Sequence, residues 1–87
     1  MGTEAVITVR VRAFARAREV LGESIVVRLP VGATPATLWE GLCLRYAELE
    51  GMTSGMRFAL NGTICTDVNV RLKDDDEVSL LPPVGGG

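Results

Sequence analysis

From Ala5 to Ala13 the chain alternates, with Ile7, Val9, Val11 and Ala13 on one side and Thr8, Arg10 and Arg12 on the other. A period of two puts these sets on opposite faces of an extended strand, so the chain opens on a strand with one buried face. Ser24 to Leu29 repeats the pattern through Ile25, Val27 and Leu29. Between the two runs, Phe14 to Gly22 reads AFARAREVLG from Ala13 onward, rich in helix formers, with Ala17, Val20 and Leu21 at helical spacing and Gly22 where a helix ends. These segments predict two paired strands connected through a short helical turn.

The helix that covers the sheet is expected next. Thr34 followed by Pro35 is a helix start, a capping hydroxyl and then a residue whose fixed φ suits the first turn. Leu38, Leu42, Tyr46 and Leu49 continue as one apolar stripe, widened by Trp39 and Cys43, and Gly51 stops it, so the helix is expected over 35–49. Asn61-Gly62, between Arg57–Leu60 and Thr63–Thr66, is the strongest hairpin signal, because both residues accept the positive φ of a type I′ turn. Asp67 to Lys73 reads as an irregular connection plugged by Val70 and Leu72, and Asp74-Asp75-Asp76 as an acidic turn. Glu77 to Leu81 is the last strand, with Val78 and Leu80 on one face and Leu81 on the other. One main helix among several short strands predicts an α+β domain, the helix lying across one face of a mixed sheet. Its 87 residues suffice for one small domain, expected over 1–81, with 82–87 as a tail.

Composition removes many functions. A net charge of −2 offers no footprint for nucleic acid or an anionic membrane. No apolar run is long enough to span a membrane, and a cytoplasmic protein is expected. With no histidine the commonest general base and metal ligand is missing. Cys43 and Cys65 are too few for a disulfide framework or an iron–sulfur cluster and read as small apolar side chains. Neither a dinucleotide-binding glycine motif nor a P-loop is present. The aspartate run reads as a solvated turn rather than a metal site, and Arg10, Arg12, Arg16 and Arg18 as a solvent face rather than a docking patch.

What is left is LLPPVGGG, residues 80–87. Pro82 and Pro83 end the sheet, since proline donates no hydrogen bond. Beyond them the tail has almost no side chain and is expected to be flexible, reaching roughly 20 Å when extended. A terminal carboxylate becomes an acyl donor once ATP converts it to an acyl-adenylate. A sulfur nucleophile then yields a thiocarboxylate, and a lysine amine an isopeptide. Glycine leaves room for a partner to close around the acyl carbon. Leu81, opposite Val78 and Leu80, would be exposed beside this end as a docking surface.

Leu81-Pro82-Pro83-Val84-Gly85-Gly86-Gly87 resembles the C-terminal motif of the sulfur-carrier (small) subunit of molybdopterin synthase. DDDEVSL before it and FARAREVLG (Phe14 to Gly22) resemble other segments of that family, so the resemblance covers nearly the whole chain. It implies a β-grasp, ubiquitin-like fold with a sheet of about five strands. It implies that Gly87 is adenylated by an activating enzyme that uses ATP and is converted to a thiocarboxylate. The chain itself would bind no cofactor and no metal. Gly85 and Gly86 would enter the active site of the large catalytic subunit, where Gly87 gives sulfur to precursor Z, the cyclic pyranopterin monophosphate, to form molybdopterin. Phe14, Ile64 and Leu81, with Pro82, Pro83 and Val84, would dock the partner, in an assembly of two small and two large subunits. The chain departs from the family in a third glycine, Gly85, and in leucines at 80 and 81 where aromatics are often seen. Alternatives on the same tail are a ubiquitin-like modifier joined through Gly87 to lysines, a sulfur carrier for thiamine or tRNA thiolation, and a binding module with an inert end.

Overall fold

The computed structural model describes residues 5–83. The first alternating run forms β1 (Val6–Ala13), the helical turn α1 (Ala15–Leu21) and the second run β2 (Ser24–Pro30), paired antiparallel to β1. Then come α2 (Pro35–Arg45), a 3-10 segment (Ala47–Met52), β3 (Arg57–Leu60), β4 (Thr63–Ile64) and β5 (Glu77–Leu81). The five strands run β2-β1-β5-β3-β4 across the sheet. The last strand is therefore central, parallel to β1 on one side and antiparallel to β3 on the other. One helix crossing one face of such a mixed sheet is the β-grasp arrangement.

The buried faces follow the alternation. Ile7, Val9, Val11 and Ala13 of β1, Phe58 of β3 and Val78 and Leu80 of β5 form the core with Ala17, Leu21, Leu38, Trp39, Leu42, Leu49, Met52 and Leu72. The start of α2 is closed reciprocally. Thr37 N–H donates to Thr34 Oγ1 at 3.1 Å, and Thr34 N–H donates to Thr37 Oγ1 at 2.8 Å, a cap worth about 1 kcal/mol. Trp39 meets Phe58 edge-on, ring centroids 6.1 Å apart, and its indole N–H donates to Thr53 Oγ1 at 3.0 Å.

Two boundaries differ from expectation. The main helix ends at Arg45, four residues before the expected Leu49. Tyr46 caps it, and the chain tightens into the 3-10 segment, which leaves the α2 axis to pack against α1. Leu49 and Met52 both reach the core that way. A tertiary contact, which no local propensity encodes, sets this end. The second hairpin strand stops at Ile64 rather than Thr66. Cys65 N–H still donates to Phe58 O at 2.8 Å, but the Cys65 thiol then donates to Asp67 O and Asp67 Oδ1 accepts the Asn69 N–H. That local turn competes with the ladder and ends it.

The Asn61-Gly62 turn has the expected positive φ values, 50° and 89°. Its neighbour, the aspartate turn, does more than end a strand. Asp74 Oδ1 accepts Thr8 N–H at 2.7 Å, and Asp75 N–H donates to Thr8 O at 2.7 Å. Asp76 accepts from Asn61 Nδ2 at 2.9 Å and from Lys73 N–H at 2.7 Å, while Asn61 Oδ1 accepts Glu77 N–H at 2.8 Å. These bonds lock β1 and the β3–β4 hairpin in register on either side of β5. Among the described residues no helix is long and apolar enough to cross a membrane.

Candidate functional site

Helices cover one face of the sheet and leave the other open. Residues paired across neighbouring strands share a face, so the register defines the open side. Ser24, Arg12, Ser79, Ala59 and Ile64 form one row from β2 to β4. One step further along β5 on the same side, Leu81 pairs with Arg57 of β3.

Local backbone places the fourth edge of this patch. Phe14 continues β1 in extended conformation, φ −129° and ψ 158°, before Ala15 takes a left-handed φ of 52° and turns the chain into α1. Left-handed φ costs an alanine about 1–2 kcal/mol. The turn leaves the Phe14 ring at the sheet margin, half-buried, with the Arg12 guanidinium carbon 5.4 Å from its centroid.

Sequence-predicted positions thus come together. Leu81 and Ile64 lie on β5 and β4, and Phe14 just past the end of β1, along one sheet face, with Leu81 half-buried and Ile64 52% exposed. Between them, Ala59 and Ser79 are each only 7% exposed, shaded by larger neighbours without any covering layer. The result is a shallow apolar patch with small residues at its centre. Ala59, Ser79 and Arg57 carry no signal for this site in the sequence, and Arg12, there part of a cluster expected to be a solvent face, stands on it. Arg57 stands beside Leu81 only through a pairing 24 residues apart in the chain, which no local pattern signals.

The exit from the patch is fixed as well. Pro82 is half-buried and Pro83 exposed, and Pro83 lies against Gly55 in the loop after the 3-10 segment. A Cβ at Gly55 would sit 3.1 Å from Pro83 Cβ, and Gly55 has a φ of +86°. Loop and proline together set where the chain leaves β5. Val84, Gly85, Gly86 and Gly87 lie outside the described residues.

Elsewhere the chain holds little chemistry. A cleft of about 560 Å³ on the helical layer is lined by Trp39, Glu40, Cys43, Leu44, Glu50 and Thr53. Burial pushes the Cys43 thiol up from its ordinary value and Glu50 adds to this, against an opposing hydrogen bond with Thr53. A thiol so placed is a poor nucleophile, in keeping with a small core-edge side chain. Among the described residues no cluster of cysteine, aspartate and glutamate could hold a metal ion.

Residues 11–87 match the model of the ThiS family. Over 82 residues, 93% of this chain and 84% of the relative, a molybdopterin synthase sulfur carrier subunit of Arabidopsis thaliana is 33% identical. A Haloferax volcanii protein solved in solution is 30% identical with a TM-score of 0.87, the match covering 100% of this chain and 92% of that one. A chain from the complex of subunits 1 and 2 of the molybdopterin-converting factor of Helicobacter pylori is 28% identical with a TM-score of 0.68, over 93% of this chain and 100% of its own.

Proposed function

The chain belongs to the ThiS family, and from that premise we propose that it is the sulfur-carrier subunit of a molybdopterin synthase. The observation that carries the reading is its near-full-length similarity to a sulfur carrier subunit of that enzyme. An apolar patch beside the exit of β5 supports it, since a carrier must present its end and its docking surface together.

In this reading the reactive group is the Gly87 carboxylate. Its oxygen attacks the α-phosphorus of ATP on an activating enzyme, releasing pyrophosphate and leaving an acyl-adenylate. Sulfide sulfur then displaces AMP to give the thiocarboxylate. The tail enters the large subunit through Gly85 and Gly86, and Gly87 transfers its sulfur to precursor Z. With no histidine in the sequence and the Cys43 thiol pushed up by burial, the acid and base groups come from the partner, and alone the chain has little activity. Phe14, Ile64, Leu81, Pro82, Pro83 and Val84 form the docking side. The H. pylori complex of subunits 1 and 2 supports pairing with a large subunit.

The test is the mass of the full chain after incubation with activating enzyme, ATP and a sulfur source. The expected product exchanges one oxygen for sulfur at Gly87. An unchanged mass sinks the proposal, and recovery of Gly87 in isopeptide linkage to cellular lysines moves the chain to the modifier class.

A further inference from the structure

The open face carries charge as well as apolar surface. Register puts Arg10 and Arg12 of β1, Arg28 of β2 and Arg57 of β3 on it. Against them stand Glu77 at the register of Arg10, and Asp75 beside both. These carboxylates sit toward the start of β5, away from Leu81. Arg12 lies two residues before Phe14 and stacks on its ring. Arg57 pairs directly with Leu81. Leu81 therefore has an arginine-bearing strand on each side, and those strands lie about 10 Å apart at ordinary sheet spacing.

Neither guanidinium is in a salt bridge among the described residues, though Arg12 lines a cleft with Glu23 and Glu77. Among the described residues the one ion pair is Arg18 with Glu23, at 3.0 Å. The basic cluster seen in the sequence therefore divides, with Arg16 and Arg18 on α1 and Arg10 and Arg12 on the sheet. The whole chain has a net charge of −2, so unpaired cations beside its apolar patch are a local reversal of its overall sign. Stacking also holds the Arg12 fork in place before any partner arrives, and a guanidinium fork matches a carboxylate at two points.

We propose that Arg12 and Arg57 form a guanidinium clamp astride Leu81, which recognises a protein partner whose apolar recess is flanked by carboxylates. The inference rests on the reading that this face docks the large subunit, and adds the chemistry of the surface it meets. Leu81 fills the recess and the two arginines set orientation and speed of encounter. Opposite charges at an interface rim act mainly on the association rate, and salt screens them.

The experiment follows association of the full chain with its cognate large subunit by stopped flow, from about 0.02 M to about 0.5 M NaCl, over which the screening length falls from roughly 20 Å to about 4 Å. The chain is compared with Arg12→Gln/Arg57→Gln, with Arg16→Gln on α1, and with Leu81→Ala, each checked by thermal unfolding. The double variant should associate about tenfold more slowly at low salt and lose most of its salt dependence, while Arg16→Gln behaves as the parent. An unchanged rate and salt slope in the double variant, with binding weakened by Leu81→Ala, overturns the clamp and leaves the docking reading standing. If Leu81→Ala also binds as the parent, or the parent does not bind at all, the docking reading falls and the clamp with it.

Discussion

Substituting Gly55 by alanine probes how the domain sets the path of its C-terminal segment. Two costs arise at this residue. Its φ of +86° lies where an L side chain is strained, at about 1–2 kcal/mol for an alanine. The added methyl would also stand 3.1 Å from Pro83 Cβ and 3.3 Å from Pro83 Cγ. Pro83 is exposed and can yield by a few tenths of an ångström, which places this second cost near the lower end of overpacking, about 1 kcal/mol. Lost unfolded-state freedom works the other way by about 0.4–1 kcal/mol. The net expectation is about 1–2 kcal/mol of destabilisation, a fall in Tm of at least roughly 4–8 °C for a domain of this size. Urea denaturation of Gly55→Ala, of Pro83→Gly and of the double variant separates the terms. The alanine should cost about 1 kcal/mol less where Pro83 has no Cβ, because only backbone strain is left. Equal cost in both backgrounds would refute the contact with Pro83. A neutral or stabilising Gly55→Ala would refute the left-handed backbone as well.

Other consequences follow from the same geometry. Asn61→Ala removes the bonds to Asp76 and from Glu77 N–H and puts alanine at a φ of 50°; urea denaturation should show a loss of about 2–3 kcal/mol. Ile64→Asp changes a residue 52% exposed, so Tm should barely move while calorimetry shows affinity for the large subunit weakened by at least about tenfold. Burial raises the Cys43 thiol, so the unfolded chain releases that proton first. Its contribution to stability is complete below the unfolded-state value and is lost as pH rises through the folded one; denaturation curves across the alkaline range should be flatter for Cys43→Ala than for the parent. Alkylation of Cys43 in the folded chain should also have its midpoint above that of the denatured chain.

The elements most readable in the sequence are those whose cause is local. Alternation along residues 5–13 and 24–29, the Thr34-Pro35 start and the Asn61-Gly62 turn each carry their own stereochemical reason, and each forms as expected. The end of α2 was illegible because it is set by packing of the 3-10 segment on α1. The aspartate turn is solvated as its composition predicts, but its bonds have no local signal, since the partners Thr8 and Asn61 come from distant strands. At the site, the face on which Leu81 lies follows from parity alone, although the residue is half-buried there. Its flanking by Arg57 and the shading of Ala59 and Ser79 depend on which strands become neighbours. Gly55 shows the same limit, since nothing near it in sequence announces Pro83.

The central position of β5 has a mechanical meaning. The component of a load on the chain end that acts along the axis of β5 is resisted by the ladders to β1 and β3 together. Their bonds must slide past one another at once, whereas an edge strand would be peeled away a bond at a time. Tension on a gripped chain end is therefore shared by the whole sheet. Withdrawing that end from a closed site moves the domain as a rigid body and does not unravel the strand that bears it.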